Sequence, residues 1–250
     1  MSMAIAAMNK LLRSLMMEGS LNRRQIIASL AAAPLIGCTR SLPTYRFRLS
    51  VHVDTPQGER TGASVIEVHT VDQGKGFPGP EAGGIRIGFR GEAVSLKMPN
   101  GVYVFALLRG KETHSAQTIA GAPFAATGAR RIAGESYDDR LRRVMAAAGA
   151  HELPLSSYPQ FVYFKTISDP ASVQEVLPDD FANVFGDGIS LKGVTAEIVD
   201  GPVEFKIPQV LPWIENYKHV SLDGEQYERP ATLAGSLNYL DFYRPVLYSA

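Results

Sequence analysis

Histidines are the side chains of this chain best suited to metal or proton chemistry, and two of the five fall on one predicted face. Residues 45–54 and 63–71 alternate apolar and polar side chains, which predicts two half-buried strands of an antiparallel hairpin. In that hairpin His52 and His69 both point to solvent, with carboxylates such as Glu67 nearby. Two imidazoles and a carboxylate on one sheet face could bind zinc or copper. The alternative is a solvated face with salt bridges, since no HxH or HExxH motif sets a ligand geometry.

Nucleophilic and acid–base candidates carry weaker signals. His114-Ser115 places an imidazole beside a hydroxyl, but adjacent residues rarely face each other and no GxSxG motif is present. The carboxylate pairs Asp138-Asp139 and Asp179-Asp180 lie at predicted helix starts, where acidic side chains interact favourably with the helix dipole. The sequence therefore predicts no catalytic residue and no cofactor, and it favours a protein that is not an enzyme.

A basic stretch lies in the middle of the chain and consists of Arg130, Arg131, Arg140, Arg142 and Arg143. Clustered arginines of this kind could contact lipid headgroups or an acidic partner. The alternative is that they form the solvated face of a helix.

The single cysteine, Cys38, ends the tetrad Leu35-Ile36-Gly37-Cys38, which follows the apolar run 26–36. That run is too short to span a bilayer and has the length of a signal-peptide h-region. A branched residue, a spacer and a small residue before a cysteine are typical of a bacterial lipobox, whose thiol takes a diacylglyceryl group before cleavage. We expect a lipidated, palmitate-bearing Cys38, which would anchor the chain in a membrane. A buried helix with a core cysteine is the alternative.

The residues before the apolar run indicate how the chain is exported. Arg23 and Arg24 supply the positive n-region of a signal peptide. The pair also resembles a twin-arginine signal, although Asn22 stands where serine or threonine is usual, and an ordinary Sec signal is the alternative. With residues 1–21 in front of the n-region, the leader is longer than that of an ordinary signal peptide. We therefore expect translation to start at Met16 or Met17.

Removal of residues 1–37 leaves 213 residues, and the 25 basic and 25 acidic side chains fall to 21 and 24. A net charge of about three negative units argues against a nucleic-acid partner, which would require clustered positive charge. The length suits one domain with a sizeable core. With one cysteine, the chain can form no internal disulfide.

The remaining pattern predicts an α+β fold, mainly antiparallel sheet with a few short helices. Residues 45–109 contain several strand signals separated by turns and are predicted to form one antiparallel sheet. Residues 136–148 show a capping-box spacing followed by helical periodicity. The tail, 237–248, is rich in aromatic residues and is predicted to pack onto the sheet. We divide the chain into a leader and signal peptide (1–37), a lipidated tether (38–44) and a single domain (45–250).

Three segments resemble a family of uncharacterised lipoproteins from alphaproteobacteria. They are residues 45–68 (YRFRLSVHVDTPQGERTGASVIEV), residues 188–213 (GISLKGVTAEIVDGPVEFKIPQVLPW) and residues 161–185, with Asp169-Pro170. The segments occur in order and cover most of the chain after Cys38, up to about residue 223. The resemblance implies a lipoprotein of the cell envelope with one compact domain, and it implies no catalytic residue.

These observations favour a membrane-anchored, non-catalytic accessory or interaction domain that faces the periplasm. Thr39 after the cysteine, where aspartate would favour retention in the inner membrane, points to the outer membrane. The expected partners are membrane lipid, through Cys38, and another envelope protein. An envelope hydrolase and a metal- or small-molecule-binding protein centred on His52 and His69 are the alternatives.

Overall fold

Two antiparallel β-sheets and a layer of short helical segments make up the structure, a computed structural model that describes residues 40–72, 84–226 and 231–249. The α+β class predicted from the sequence is confirmed. The strands are β1 (Arg40–Ser41), β2 (Tyr45–Asp54), β3 (Arg60–Asp72), β4 (Ile85–Glu92), β5 (Val94–Lys97), β6 (Tyr103–Gly110), β7 (Ala150–Glu152), β8 (Pro159–Phe164), β9 (Val173–Glu175), β10 (Ser190–Ile198) and β11 (Tyr243–Ser249).

The helices are short, because the apolar periodicity that supports a helix rarely lasts more than two turns in this sequence. They are α1 (Ala116–Ala120), α2 (Ala122–Ala126), α3 (Tyr137–Met145), α4 (Phe181–Phe185), α5 (Ile207–Val210), α6 (Leu233–Ser236) and α7 (Tyr239–Phe242). Helix α3 confirms the predicted helix: the Ser136 hydroxyl accepts from the Asp139 amide, and Leu141 and Val144 are buried. Single 3-10 turns lie at Leu155–Ser157, Pro170–Ser172, Pro178–Asp180 and Ile214–Tyr217.

The larger sheet has the strand order β7-β10-β2-β3-β4-β11, and β1 pairs with β3 beyond the end of β2. The predicted hairpin forms its centre, with Phe47 opposite Ile66 on the buried face. A turn in which Thr55 and Gly58 exchange backbone hydrogen bonds joins the two strands. Gly58 has φ +109°, a conformation that favours glycine. Strand β11 pairs with β4, so the aromatic tail does pack onto the sheet.

The smaller sheet, β5-β6-β8-β9, corrects the prediction that residues 45–109 form one sheet. The chain leaves the larger sheet after Glu92, where the Ala93 amide bonds to the Phe242 carbonyl instead of to a neighbouring strand. Local alternation could not reveal this change of sheet, because strands in either sheet show the same period of two. The two sheets pack face to face around one apolar core, and the C-terminal helices cover the second face of the smaller sheet.

Residues 40–44, the described part of the predicted tether, are docked on the domain. Arg40 and Ser41 pair with Asp72 and Val71 at the end of β3. The Leu42 amide donates to the Thr70 carbonyl, and the Leu42 side chain is buried. A buried apolar side chain that completes a strand contact explains why this short segment is ordered.

Leu42→Ala tests that docking. We expect the variant to lose about 2 kcal/mol of unfolding free energy, the low end for truncation of a buried leucine, because the site lies at the rim of the core. Urea unfolding of the purified variant measures the loss. Leu155→Ala is the matched control: Leu155 is 67% exposed, so its truncation should change the unfolding free energy by less than about 0.5 kcal/mol. Equal midpoints for the two variants would contradict the docking.

Candidate functional site

Charged side chains cover the outer face of the larger sheet, as the alternation of the hairpin predicts. Across three strands, the register places Arg46 opposite Glu67 and Glu67 opposite Arg90. Arg46 Nε donates to Glu67 Oε2 at 2.5 Å, and Arg90 Nε donates to Oε1 at 2.8 Å. In the next row Arg48 donates to Glu197 of β10 at 2.9 Å. Opposite charges therefore pair in each row.

Glu67 is the centre of this face, because its side chain is only 6% exposed among two arginines and a histidine. Burial alone would raise its pKa, but hydrogen bonds from Arg90, His69 and Arg46 outweigh burial and lower the pKa to about 2. Glu67 is thus a carboxylate throughout the physiological range. A general acid or base would need a pKa close to the working pH, so Glu67 acts as a structural counter-ion.

His69 joins Glu67 to the segment that follows the cysteine. One ring nitrogen, Nε2, lies 3.0 Å from Glu67 Oε1, and Nδ1 lies 3.2 Å from the Thr44 hydroxyl. The carboxylate can only accept, so Nε2 carries a proton, and a neutral His69 accepts from Thr44. The series Thr44–His69–Glu67 therefore secures residue 44 to the sheet.

His52 lies in a second polar group at the other end of the hairpin. Its Nδ1 lies 3.0 Å from Glu59 Oε1, and its Nε2 lies 3.1 Å from the Thr195 hydroxyl. Hydroxyl, imidazole and carboxylate follow in the order seen in hydrolase triads. Thr195, however, lies in β10 between Ser50 of β2 and Glu152 of β7. Backbone amides there bond across the sheet, so the position lacks the free N–H groups that would form an oxyanion hole.

The structure does not bring His52 and His69 together as a metal pair. His52 lies opposite Thr61, and His69 is eight residues farther along β3, or about 26 Å at 3.3 Å per residue. Both histidines do lie on the predicted outer face, but at opposite ends of it. Within residues 40–72, 84–226 and 231–249, no group of three or more His, Cys, Asp or Glu side chains could hold a metal ion.

A shallow cavity of about 240 Å³ lies where residues 199–206 cross this face. Arg48, Glu92 and Lys206 line it, and Glu92 Oε2 accepts from the backbone amides of Lys206 and Ile207 at 2.7 and 2.8 Å. Burial raises the pKa of Glu92 above its ordinary value, although the two amide hydrogen bonds oppose this. Glu92 thus fastens the crossing segment to the sheet. The cavity wall has charges of both signs: Lys206 pairs with Glu204, and Arg48 pairs with Glu197 outside the wall.

A buried polar network around Arg109 is not evident from the sequence. Arg109 is 9% exposed, and its Nε donates to Gln160 Oε1 at 2.7 Å. Its terminal nitrogens donate to the Ser236 carbonyl at 2.8 Å and to His114 Nδ1 at 3.1 Å. Asp241 Oδ2 lies 3.8 Å away. In the sequence, Arg109 is one residue of a strongly apolar strand. Only information on contacts between distant residues, linking Arg109 to residues 236–241, could have revealed this network.

The remaining sequence candidates have structural contacts. His114 has φ +49°, unusual for a residue other than glycine, and its Nδ1 accepts from Arg109 because guanidinium groups can only donate. The Ser115 hydroxyl accepts from the Gln117 amide at the start of α1. Asp138 pairs with arginines, and Asp180 accepts from the Asn183 side chain. None of these residues forms an acid–base pair with its neighbour in sequence.

The candidate site is therefore a polar sheet face whose charges are paired, without a described metal cluster or assembled catalytic group. Cys38 and the rest of the signal region lie outside the described residues, so lipidation, signal peptide and start site stay predictions. Within the described ranges, no helix has both the length and the apolar character needed to cross a membrane. Comparison of the chain with protein-family models, curated proteins and solved structures finds no match.

Proposed function

We propose that this protein is a lipoprotein of the bacterial cell envelope, anchored through Cys38, whose domain faces the periplasm and acts by binding rather than by catalysis. The observation that carries the proposal is the tetrad Leu35-Ile36-Gly37-Cys38 after an apolar run of signal-peptide length. The first described strand, β1, begins at Arg40. Cleavage before Cys38 would remove the apolar run and leave the acylated residue next to the domain.

The chemistry of the sheet face supports a binding role. Glu67 is held as a carboxylate by two arginines, and Thr195 next to His52 lacks free amides for an oxyanion hole. An exposed face of paired charges can match a complementary protein surface, because such pairs give specificity and orientation to weak contacts. The outer membrane is the proposed location, because Thr39 follows the cysteine.

Labelled-palmitate incorporation in the native host tests the anchor. We expect the wild-type protein to take up label and to fractionate with the outer membrane, and Cys38→Ala to lose the label completely. An immunoblot for total protein controls for loss of the variant by degradation. A wild-type protein without label, or a label that survives Cys38→Ala, would overturn the proposal. Turnover of an envelope ester or amide that disappears in His52→Ala would instead favour the hydrolase alternative.

A further inference from the structure

The position of Arg40 limits how far the domain can stand from a lipid anchor at Cys38, an inference that rests on the proposed function. Arg40 pairs with Asp72 at the end of β3, and its guanidinium bonds Asp138 of α3 at 2.7 Å. Two residues of extended chain reach about 7 Å. The acyl chains would therefore enter the bilayer directly beside the Asp72 end of the sheet. That end of the domain must then lie at the headgroup level.

The surface around Arg40 is rich in arginine. Asp138 accepts from Arg40 and also pairs with Arg142 at 3.1 Å, and these arginine side chains are 67% and 60% exposed. One carboxylate of low exposure therefore pairs with two guanidinium groups, both of which are exposed to solvent. Two guanidinium groups therefore lie at the surface next to the anchor point.

A loop fixed to the same helix extends this surface. Arg143 of α3 bonds the Glu135 carboxylate at 3.0 Å and also donates to the Arg130 carbonyl. The Ile132 amide in turn donates to Glu135. These contacts hold an exposed Arg131 and an Ile132 side chain that is 57% exposed. An aliphatic side chain that remains in water beside arginines is a feature of surfaces that contact the membrane interface.

The charge of this end differs from that of the chain as a whole. We define the basic end as the surface formed by Arg40, Arg142, Arg143 and the loop 130–132. Its five arginines exceed by one the four acids that are close in sequence or pairing, which are Asp72, Glu135, Asp138 and Asp139. The chain after residue 37 has an excess of acids. Each arginine near an anionic membrane surface strengthens binding about fivefold, which corresponds to roughly 1 kcal/mol.

We propose that the basic end lies against anionic phospholipid headgroups when the domain is anchored, with Ile132 at the interface. The larger sheet then stands away from the membrane, because β3 runs for 13 residues, about 40 Å, from Asp72 to Arg60. The turn at 55–59 and the His52 group face the periplasm, where a partner can reach them. Lipid thus orients the domain, and the outer face of the sheet stays accessible.

Site-specific fluorescence on the full-length lipidated protein tests this orientation. Acylation blocks Cys38, so Ile132→Cys supplies one free thiol for an environment-sensitive NBD label. The protein is reconstituted into vesicles of phosphatidylcholine with about one-third phosphatidylglycerol. We expect NBD emission at residue 132 to rise several-fold over that in detergent and to be quenched by headgroup-level nitroxide lipids. Gln57→Cys is the matched control at the far end of the hairpin, and its label should not respond.

Charge variants show whether the arginines bind the headgroups or only lie near the membrane. In Arg131→Gln and Arg142→Gln proteins, we expect the equilibrium constant for contact between the basic end and the membrane to fall about fivefold for each arginine replaced. Arg60→Gln, an exposed arginine at the other end of β3, should have no effect. High salt should weaken the wild-type signal, because it screens exposed charges. A residue-132 label that behaves like the residue-57 label on anionic vesicles would overturn the proposed orientation.

The mass of the N-terminal peptide reports acylation separately, so the two proposals can fail independently. An acylated protein without the residue-132 signal leaves the anchor intact and overturns the contact surface. A protein without acyl groups overturns the anchor. Its sedimentation with anionic vesicles then tests the surface: binding that needs Arg131 and Arg142 supports it, and no binding overturns it.

Discussion

Replacing Arg109 with alanine should lower the unfolding free energy by about 3–5 kcal/mol, the range for breaking a buried ion pair from one side. The substitution leaves Gln160 Oε1 without its donor in a buried site, and it removes the donor to the part-buried Ser236 carbonyl and to His114 Nδ1. It also leaves Asp241 without its nearest cation in that network. Folded domains are stable by only about 5–15 kcal/mol, so much of the protein should be unfolded in mild denaturant.

The effect should depend on pH in a defined direction. Burial raises the pKa of Asp241, and Arg109 is the main charge that opposes this. Without Arg109 that pKa rises further, and an acid with a raised folded pKa contributes stability at low pH that is lost as the pH rises through it. The deficit of Arg109→Ala should therefore be largest at neutral pH and smaller in mild acid.

Urea unfolding at pH 7 and pH 5 measures both expectations. Arg60→Ala is the matched control, because Arg60 is exposed and donates to the Lys97 carbonyl at 3.2 Å. Its loss should change the unfolding free energy by less than about 0.5 kcal/mol. An Arg109→Ala protein as stable as the Arg60→Ala protein would contradict the importance of the network.

The second large effect is expected at Glu67, where glutamine should cost about 2–3 kcal/mol at pH 7. The shift in pKa from 4.5 to about 2 corresponds to about 3 kcal/mol at 1.36 kcal/mol per unit. The side chains of Arg46 and Arg90 are 36% and 37% exposed, so water screens part of this interaction. The variant replaces a carboxylate between two arginines with a neutral amide, which leaves both positive charges uncompensated.

The pH dependence distinguishes this carboxylate from a merely packed side chain. Its folded pKa is depressed, so its contribution is complete above the unfolded value of about 4.5 and is lost as the pH falls towards 2. Wild type and Glu67→Gln should therefore converge in stability near pH 2. Glu197→Gln, on the same face, is the control: the Glu197 side chain is 33% exposed and pairs with Arg48. A constant difference between wild type and Glu67→Gln at all pH values would contradict this assignment.

The sequence by itself determined the features that depend on short spacings. Alternation in 45–54 and 63–71 predicted the hairpin and which side chains face outward, because a strand exposes every second residue. The capping-box spacing at Ser136 predicted helix α3. The tetrad ending in Cys38 predicts an anchor in the same way, since its recognition depends on four adjacent residues.

Tertiary structure alone decided which distant residues meet. Alternation placed His52 and His69 on one face, but only the strand register shows that eight residues separate them along it. Arg109 belongs to an apolar strand in sequence, and its partners come from residues 114, 160, 236 and 241. Residues 40–44 read as a tether because their docking depends on β3, some thirty residues later in the chain. Contacts across such separations depend on how sheets pair and pack, which local patterns do not encode.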